Sequence, residues 1–237
     1  MNKVIYFVSD HHFSGSRREE EKVRKFLEFI EHIKGCEALF IVGDFFDFYF
    51  EYKTQIPKPY FSILNALWEL KKSGTQIHYI IGNHDFWIGD FFTKQLGISV
   101  YKKPIELTLQ GRKVFIAHGN EFSRFDPLRW LLRNKLSIFL FYWIHPDIAW
   151  LIGRWVSKVS SKTGGIIRWE KLYDIAKQKF DAGFDAVIFG HIHFPKHISC
   201  GNTDFLLLGD WIRHFSHGKL ELGKLKICSQ NPVDEGE

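Results

Sequence analysis

Five times in this chain a short apolar run stops at a cluster of acidic, amide or imidazole side chains. "SDHH" (9–12) follows "KVIYFV", "GDFFD" (43–47) follows "ALFIV", "GNHD" (82–85) follows "QIHYII", "AHGN" (117–120) ends "KVFIAH", and "GHIH" (190–193) follows "DAVIF". Short runs rich in Val, Ile and Phe are expected as buried strands. Between the first three lie two helical stretches. One is 18–34, with Val23, Phe26, Leu27 and Ile30 at helical spacing, and the other runs from Pro57 and Pro59 through Lys72 and is ended by Gly74. This βαβαβ order predicts an α/β fold with a mostly parallel sheet. In open α/β sheets, sites assemble at the carboxyl ends of strands, so clusters at five such ends should converge.

Convergence of these residue types suits metal ions. Asp10 and His12 lie two apart and would share a side of an extended chain, with His11 pointing the other way. The same alternation pairs His191 with His193, and Gly190 lets the backbone turn close to the site. The donors are then Asp10, His12, Asp44, Asn83, His118, His191 and His193, too many for one ion but suited to two that share a carboxylate. Asp44 is the natural bridge. His84 sits beside Asn83 and would face a phosphate, with Asp85 placed to orient its other ring nitrogen.

Further strands are expected near 100, over 104–109 and 113–118, and in "HISC", "FLLLGD", "RHFSHGKLEL" and "KLKIC", with a helix over 168–183. At 237 residues, 45% hydrophobic and 25% charged, the chain is expected as one domain over 1–237. Its three cysteines show no paired spacing, which argues against a disulfide framework and fits a reducing compartment. The N-terminus has no signal-peptide pattern, so a cytoplasmic protein is expected.

A Trp- and Arg-rich insertion at about 122–168 interrupts the α/β pattern. It carries eight Lys/Arg against two acids, a local +6 where the whole chain has +5, and it holds Trp130, Trp143, Trp150 and Trp155 out of eight tryptophans. Its core, "FLFYWIHPDIAWLIGRW" (139–155), is broken by His145, Pro146 and Asp147, and a membrane span needs about 20 largely apolar residues. Two readings remain: a hairpin that packs on the core, or a basic aromatic lid suited to acyl chains and an anionic lipid surface.

The ordered set DxH, GD, GNHD, H and GHxH resembles the calcineurin-like metallophosphoesterase superfamily, over residues 4 to about 215. That resemblance implies a four-layer αββα sandwich with two metal ions at the sheet edge. It implies Asp10, His12, Asp44 and His193 for the first ion, and Asp44, Asn83, His118 and His191 for the second. A finer resemblance, to the UDP-2,3-diacylglucosamine pyrophosphohydrolases of lipid A synthesis, rests on "GDFFDFYF", "GNHDFW", "IAHGNEFSRFD", the helical insertion, and "GHIHFP" followed by "LLLGDW". It implies attack of a hydroxide bridging the two ions on the α-phosphate, which would yield UMP and 2,3-diacylglucosamine 1-phosphate. Mn²⁺ is the commonest ion of that branch, and Fe or Zn suit the same ligands. The substrate contacts this implies are Asn83, His84 and Asp126, and the lid reading adds Trp143 and Trp150. The branch carries Arg where this chain has His84, and Arg gives no proton at neutral pH, so His84 is expected to act mainly as a charge. The expected location is the inner face of the cytoplasmic membrane, held peripherally, with no nucleic acid partner. The alternatives are a related phosphoesterase acting on another nucleotide, a phosphoprotein or a nucleic acid, and a binding module without activity.

Overall fold

A computed structural model of the chain describes residues 2–85, 87–123, 134–163 and 167–229. The strands are β1 Asn2–Val8, β2 Cys36–Val42, β3 Gln76–Ile80, β4 Ser99–Tyr101, β5 Ile105–Leu109, β6 Arg112–Ala117, β7 Ala186–Phe189, β8 Pro195–Cys200, β9 Thr203–Leu208, β10 Ser216–Glu221 and β11 Lys224–Ser229. The helices are α1 Glu20–His32, α2 Phe61–Lys72, α3 Phe91–Lys94, α4 Lys135–Phe141, α5 Pro146–Thr163 and α6 Trp169–Asp181.

Two sheets result. One has the order β11-β10-β1-β2-β3-β4 and the other β5-β6-β7-β9-β8. The run from β1 to β4 is parallel, as the βαβαβ pattern requires, and β10 and β11 extend it antiparallel. In the second sheet β6, β7 and β9 are parallel and the edge strands β5 and β8 run antiparallel.

Alternation along each strand builds the layers. Val4, Tyr6 and Val8 of β1 meet Phe26, Phe29 and Ile30 of α1, within a core that also takes Leu64 and Leu67 of α2. Ile5 and Phe7 face the other way and join Val114, Ile116, Ile188 and Leu206 of the second sheet. The outer face of that sheet, Phe115, Val187, Phe189 and Phe205, packs on Leu172 and Ala176 of α6. The order is helices, sheet, sheet, helix, the four-layer αββα sandwich expected. Burial on both faces explains why the central strands have almost no polar residues.

One strand is shorter than its sequence suggests. The chain before β10 turns around Asp210, whose Oδ1 accepts from the backbone N–H of Ile212, Arg213 and His214 at 3.2, 2.9 and 3.0 Å. The stretch 212–214 is therefore a turn.

A fourth apolar cluster lies under α4 and α5, where Phe141 and Ala149 pack on Phe48, Phe50 and Trp87. The opposite side of these helices and the turn between them leave Leu136, Phe139, Leu140, Trp143, Ile148, Leu151 and Trp155 exposed. No helix among the described residues is long and apolar enough to cross a membrane.

Candidate metal centre

The carboxyl ends of β1, β2, β3, β6 and β7 meet at one edge of the sandwich. Four of the residues just beyond them, Asp10, His12, Asp44 and His191, have φ of 53°, 49°, 49° and 65°. Non-glycine residues avoid this left-handed region, and where they hold it, function is a common reason. His12 turns toward Asp10 and His193 and His11 turns away, but not because the chain is extended. The chain past Val8 is no longer extended, and two left-handed residues within three turn Asp10 and His12 to the same side. His11 is fully buried, stacked on Trp211 at 4.8 Å and edge-on to Phe26 and Phe45.

The ligand atoms of Asp10, His12 and His193 lie within 4.8 Å of one another, as do those of Asp44, His118 and His191, and those of His12, Asp44 and His84. Asp44 thus stands between the two sets. His12 Nε2 is 3.7 Å from Asp10 Oδ1 and 3.8 Å from Asp44 Oδ2, while His118 Nε2 is 3.3 Å from Asp44 Oδ2. The far nitrogens are anchored. His118 Nδ1 donates to the Val42 carbonyl at 2.9 Å, and His12 Nδ1 meets Asp47 Oδ1 at 3.0 Å. Such bonds orient the rings and turn Nε2 into the cluster, where His12 Nε2 lies 3.2 Å from His193 Nε2. At Gly190 a side chain would stand 2.7 Å from the Val42 carbonyl oxygen, so the close approach of the two sheets here requires glycine.

Do these residues fit two dications? Asp10 Oδ1, Asn83 Oδ1 and His118 Nε2 are buried without a hydrogen-bond partner, although buried polar atoms are nearly always satisfied. All three are atoms expected as ligands. The electrostatics agree. Burial works to raise the Asp10 and Asp44 carboxyls, but both are held well below the usual carboxylate range, Asp10 by the neighbouring imidazoles of His12 and His193 and Asp44 by the charge of His118. Burial likewise works to lower His118, yet the Asp44 carboxylate raises it to about 10. The pocket is a buried anionic cluster that draws positive charge onto its histidines, and the mixed carboxylate, amide and imidazole donors suit Mn²⁺, Fe or Zn.

Two nominations change. Asp85 does not orient His84. Its carboxylate accepts from the N–H of Gly82 at 2.7 Å, the N–H of Phe45 at 2.9 Å and the Tyr79 hydroxyl at 2.5 Å, which ties the loop after β3 to the loop after β2. Burial, then the nearby Asp44 charge, push its carboxyl up to about 6. His84 Nδ1 instead meets Ser157 Oγ of α5 at 3.0 Å and the Asp47 carbonyl at 3.3 Å, with Nε2 turned toward Asp44 at 4.0 Å. The carbonyl can only accept, so Nδ1 carries the proton. Trp150 is half-buried against Tyr60 and Phe48, whereas Trp143 is 78% exposed. Asp126 lies outside the described residues.

Sequence patterns missed the roles of Asp47, whose carboxylate meets His12 Nδ1, and of Asp210 and Ser157. Asp210 Oδ2 lies 3.9 Å from His193 Nδ1. Its signal was available, a Gly-Asp pair after a strand, as at 43–44. Ser157 is a lone serine in a helix and gives no such signal.

The family model described as calcineurin-like phosphoesterase matches residues 3–195. A protein of Porphyromonas gingivalis named UDP-2,3-diacylglucosamine hydrolase is 31% identical, over 92% of this chain and 94% of its own length. Proteins of the same name from Pseudomonas fluorescens and Hahella chejuensis are 29% and 28% identical, over 88% and 96% of this chain and 88% and 98% of theirs. The chain belongs to the calcineurin-like phosphoesterases, in the branch that contains the UDP-2,3-diacylglucosamine hydrolases.

Proposed function

We propose that the chain hydrolyses UDP-2,3-diacylglucosamine at its α-phosphate, giving UMP and 2,3-diacylglucosamine 1-phosphate for lipid A synthesis. The observation that carries this reading is the joining of two features in one helix. Ser157 of α5 touches His84 beside the ligand cluster, while Leu151 and Trp155 of the same helix stand exposed. A phosphoryl site and an apolar surface meet there, as a lipid-linked nucleotide requires. The named relatives support the same substrate.

Asp10, His12, Asp44 and His193 would hold one divalent ion and Asp44, Asn83, His118 and His191 a second, with Mn²⁺ favoured. Two such ions supply an activated water and a clamp on the phosphoryl oxygens. The chain's own residues do the rest. Asn83 and His84 receive the α-phosphate, and His84 would present a positive Nε2–H to it once its second nitrogen is protonated as well. A phosphate leaving group departs without protonation, so His84 need not act as an acid.

A cleft of about 310 Å³ between α5 and the segment after β2, lined by Phe48, Phe50, Tyr52, Ile56, Pro57 and Trp150, is assigned to an acyl chain. Burial of each CH₂ contributes about 0.8 kcal/mol, so such a receptacle offsets much of the cost of drawing a chain from a bilayer. The exposed face of α4 and α5, in a segment whose sequence carries an excess of Lys and Arg, is assigned to an anionic membrane surface at the cytoplasmic side.

The test is incubation with UDP-2,3-diacylglucosamine, Mn²⁺ and ¹⁸O-water. The expected result is UMP carrying the label and unlabelled diacylglucosamine 1-phosphate. Turnover of a simple phosphodiester with no UMP from the lipid nucleotide would overturn the substrate assignment.

A further inference from the structure

Lys22 lies in the first turn of α1, where the helix dipole disfavours a cation. Its side chain is only 12% exposed, and its ammonium makes three close contacts: the carbonyls of His11 and His12, both at 2.8 Å, and Glu19 Oε1 at 2.7 Å. All three of its N–H donors are used. Glu19 Oε2 accepts in turn from the Ser14 N–H at 2.9 Å. The Lys22–Glu19 pair therefore grips residues 11–14, the loop that carries His12 and follows Asp10.

That loop needs holding. Asp10 and His12 both sit in the left-handed region, which relaxes unless the surroundings over-determine it. The loop's N–H groups are paired with the turn after β2: Asp10 to the Gly43 carbonyl at 3.2 Å, His12 to Asp44 at 3.0 Å and Phe13 to Phe45 at 3.0 Å. Among its carbonyls, Asp10 accepts from the Trp211 N–H and Phe13 from the Asp47 N–H and the Tyr60 hydroxyl. The carbonyls of His11 and His12 are the ones Lys22 serves.

We infer that Lys22, neutralised by Glu19, is a positioning residue for the first of the two ion sites. The inference rests on the dinuclear centre proposed above. Asp10 and His12 stand in the set assigned to the first ion and are absent from the Asp44, His118 and His191 group, and none of Asn83, His118 and His191 lies on this loop. Loss of the ammonium would leave two carbonyls in a partly buried loop unpaired and free His12 to turn away from the first site. A purely electrostatic role has the opposite sign. A cation so close to a dication repels it, so if charge were all that mattered, removing Lys22 would tighten binding.

The test is equilibrium binding of Mn²⁺ to the metal-free protein and to Lys22→Met, which keeps the stem, and Lys22→Arg, which keeps charge and donors. The visible spectrum of the Co²⁺-loaded forms reports the occupied geometry. The wild type should take up two ions. Lys22→Met should bind one of them roughly 10- to 100-fold more weakly, the range for loss of an outer partner of a ligand, and the other unchanged. Lys22→Arg should recover most of the loss. Unchanged or tighter binding in Lys22→Met overturns the inference. So does an equal weakening of both sites accompanied by a lower melting temperature of the metal-free variant, which means general destabilisation. A wild type that binds fewer than two ions overturns the dinuclear centre itself, and the inference with it.

Discussion

Gly153 decides how α5 sits on the core, and replacing it with Ala should separate stability from catalysis. A methyl group there would stand 2.4 Å from both Cε1 and Cζ of Phe48, whereas carbons in contact prefer roughly 3.5–4.0 Å. Phe48 cannot move aside, because it is 7% exposed and its ring is packed on Trp87, Phe141 and Trp150 at 5.5, 6.1 and 6.2 Å. The helix must lift by about 1 Å. Ser157 lies one turn further along the same face, so its 3.0 Å contact with His84 Nδ1 would open to about 4 Å and be lost.

Two effects on stability oppose each other. Ala is favoured over Gly in a helix by about 1 kcal/mol, and overpacking costs about 1–3 kcal/mol. The net loss is then about 0–2 kcal/mol, a melting shift of a few degrees. Catalysis has no such offset, since misplacing a group at a reacting centre by 1 Å can cost on the order of a hundredfold. The assay pairs thermal melting with kcat on UDP-2,3-diacylglucosamine and on bis(p-nitrophenyl) phosphate. Gly153→Ala should lose at least tenfold in kcat on both substrates with a small melting shift. A wild-type kcat would refute the link between α5 and His84. A loss confined to the diacylated substrate would mean that the helix serves substrate binding alone.

The two tryptophans assigned to substrate should behave differently. Trp143→Ser should leave the melting temperature unchanged while weakening binding to vesicles containing anionic lipid, whereas Trp150→Ser, set between Tyr60 and Phe48, should cost about 2–3 kcal/mol of stability in urea unfolding. Asp44→Ala removes the ligand shared by both sets and should lower Mn²⁺ affinity by more than about 100-fold, the upper figure for a mere outer partner; equilibrium dialysis measures it, with circular dichroism to check the fold. Burial, with smaller effects of His32 and Lys219, holds the His217 imidazole down to about 4 from its ordinary 6.5. Below pH 6.5 the unfolded chain takes up a proton that the folded chain refuses until about pH 4, so stability falls as pH drops through that window, by about 3 kcal/mol. His217→Phe should flatten the fall between pH 7 and pH 4.5, and an unchanged pH profile would show that His217 titrates normally.

The strands and their site were legible in the sequence because the central strands are buried on both faces and end abruptly in polar clusters. That pattern placed seven candidate ligands at one edge without any knowledge of their geometry. The choice of His12 over His11 came from assuming an extended chain, which the left-handed residues at 10 and 12 replace. The aromatic insertion was legible as a composition but not as two faces. Ala149, Gly153 and Ser157 turn inward at helical spacing while Ile148, Leu151 and Trp155 turn outward, and counting tryptophans cannot separate Trp143 from Trp150. Asp85 was misassigned because adjacency in sequence was taken for adjacency in space. A carboxylate one residue from His84 has nearer donors in Gly82, Phe45 and Tyr79.

Backbone strain and metal chemistry are linked here by a shared cause. Among the described residues, seven non-glycine residues have positive φ, and four of them are expected ligands. A strand that ended normally would point successive side chains to opposite faces, and two ligands from one strand end could then reach one ion only at alternate positions. A left-handed residue resets that direction at once, which lets Asp10 and His12 meet residues from the opposite sheet. The resulting geometry is held by bonds between loops: Asp10, His12 and Phe13 to residues 43–45, Phe45 to Asp85, and His118 to Val42. These bonds run from loop to loop within the chain, so they add to whatever an ion would contribute to holding the ligands together.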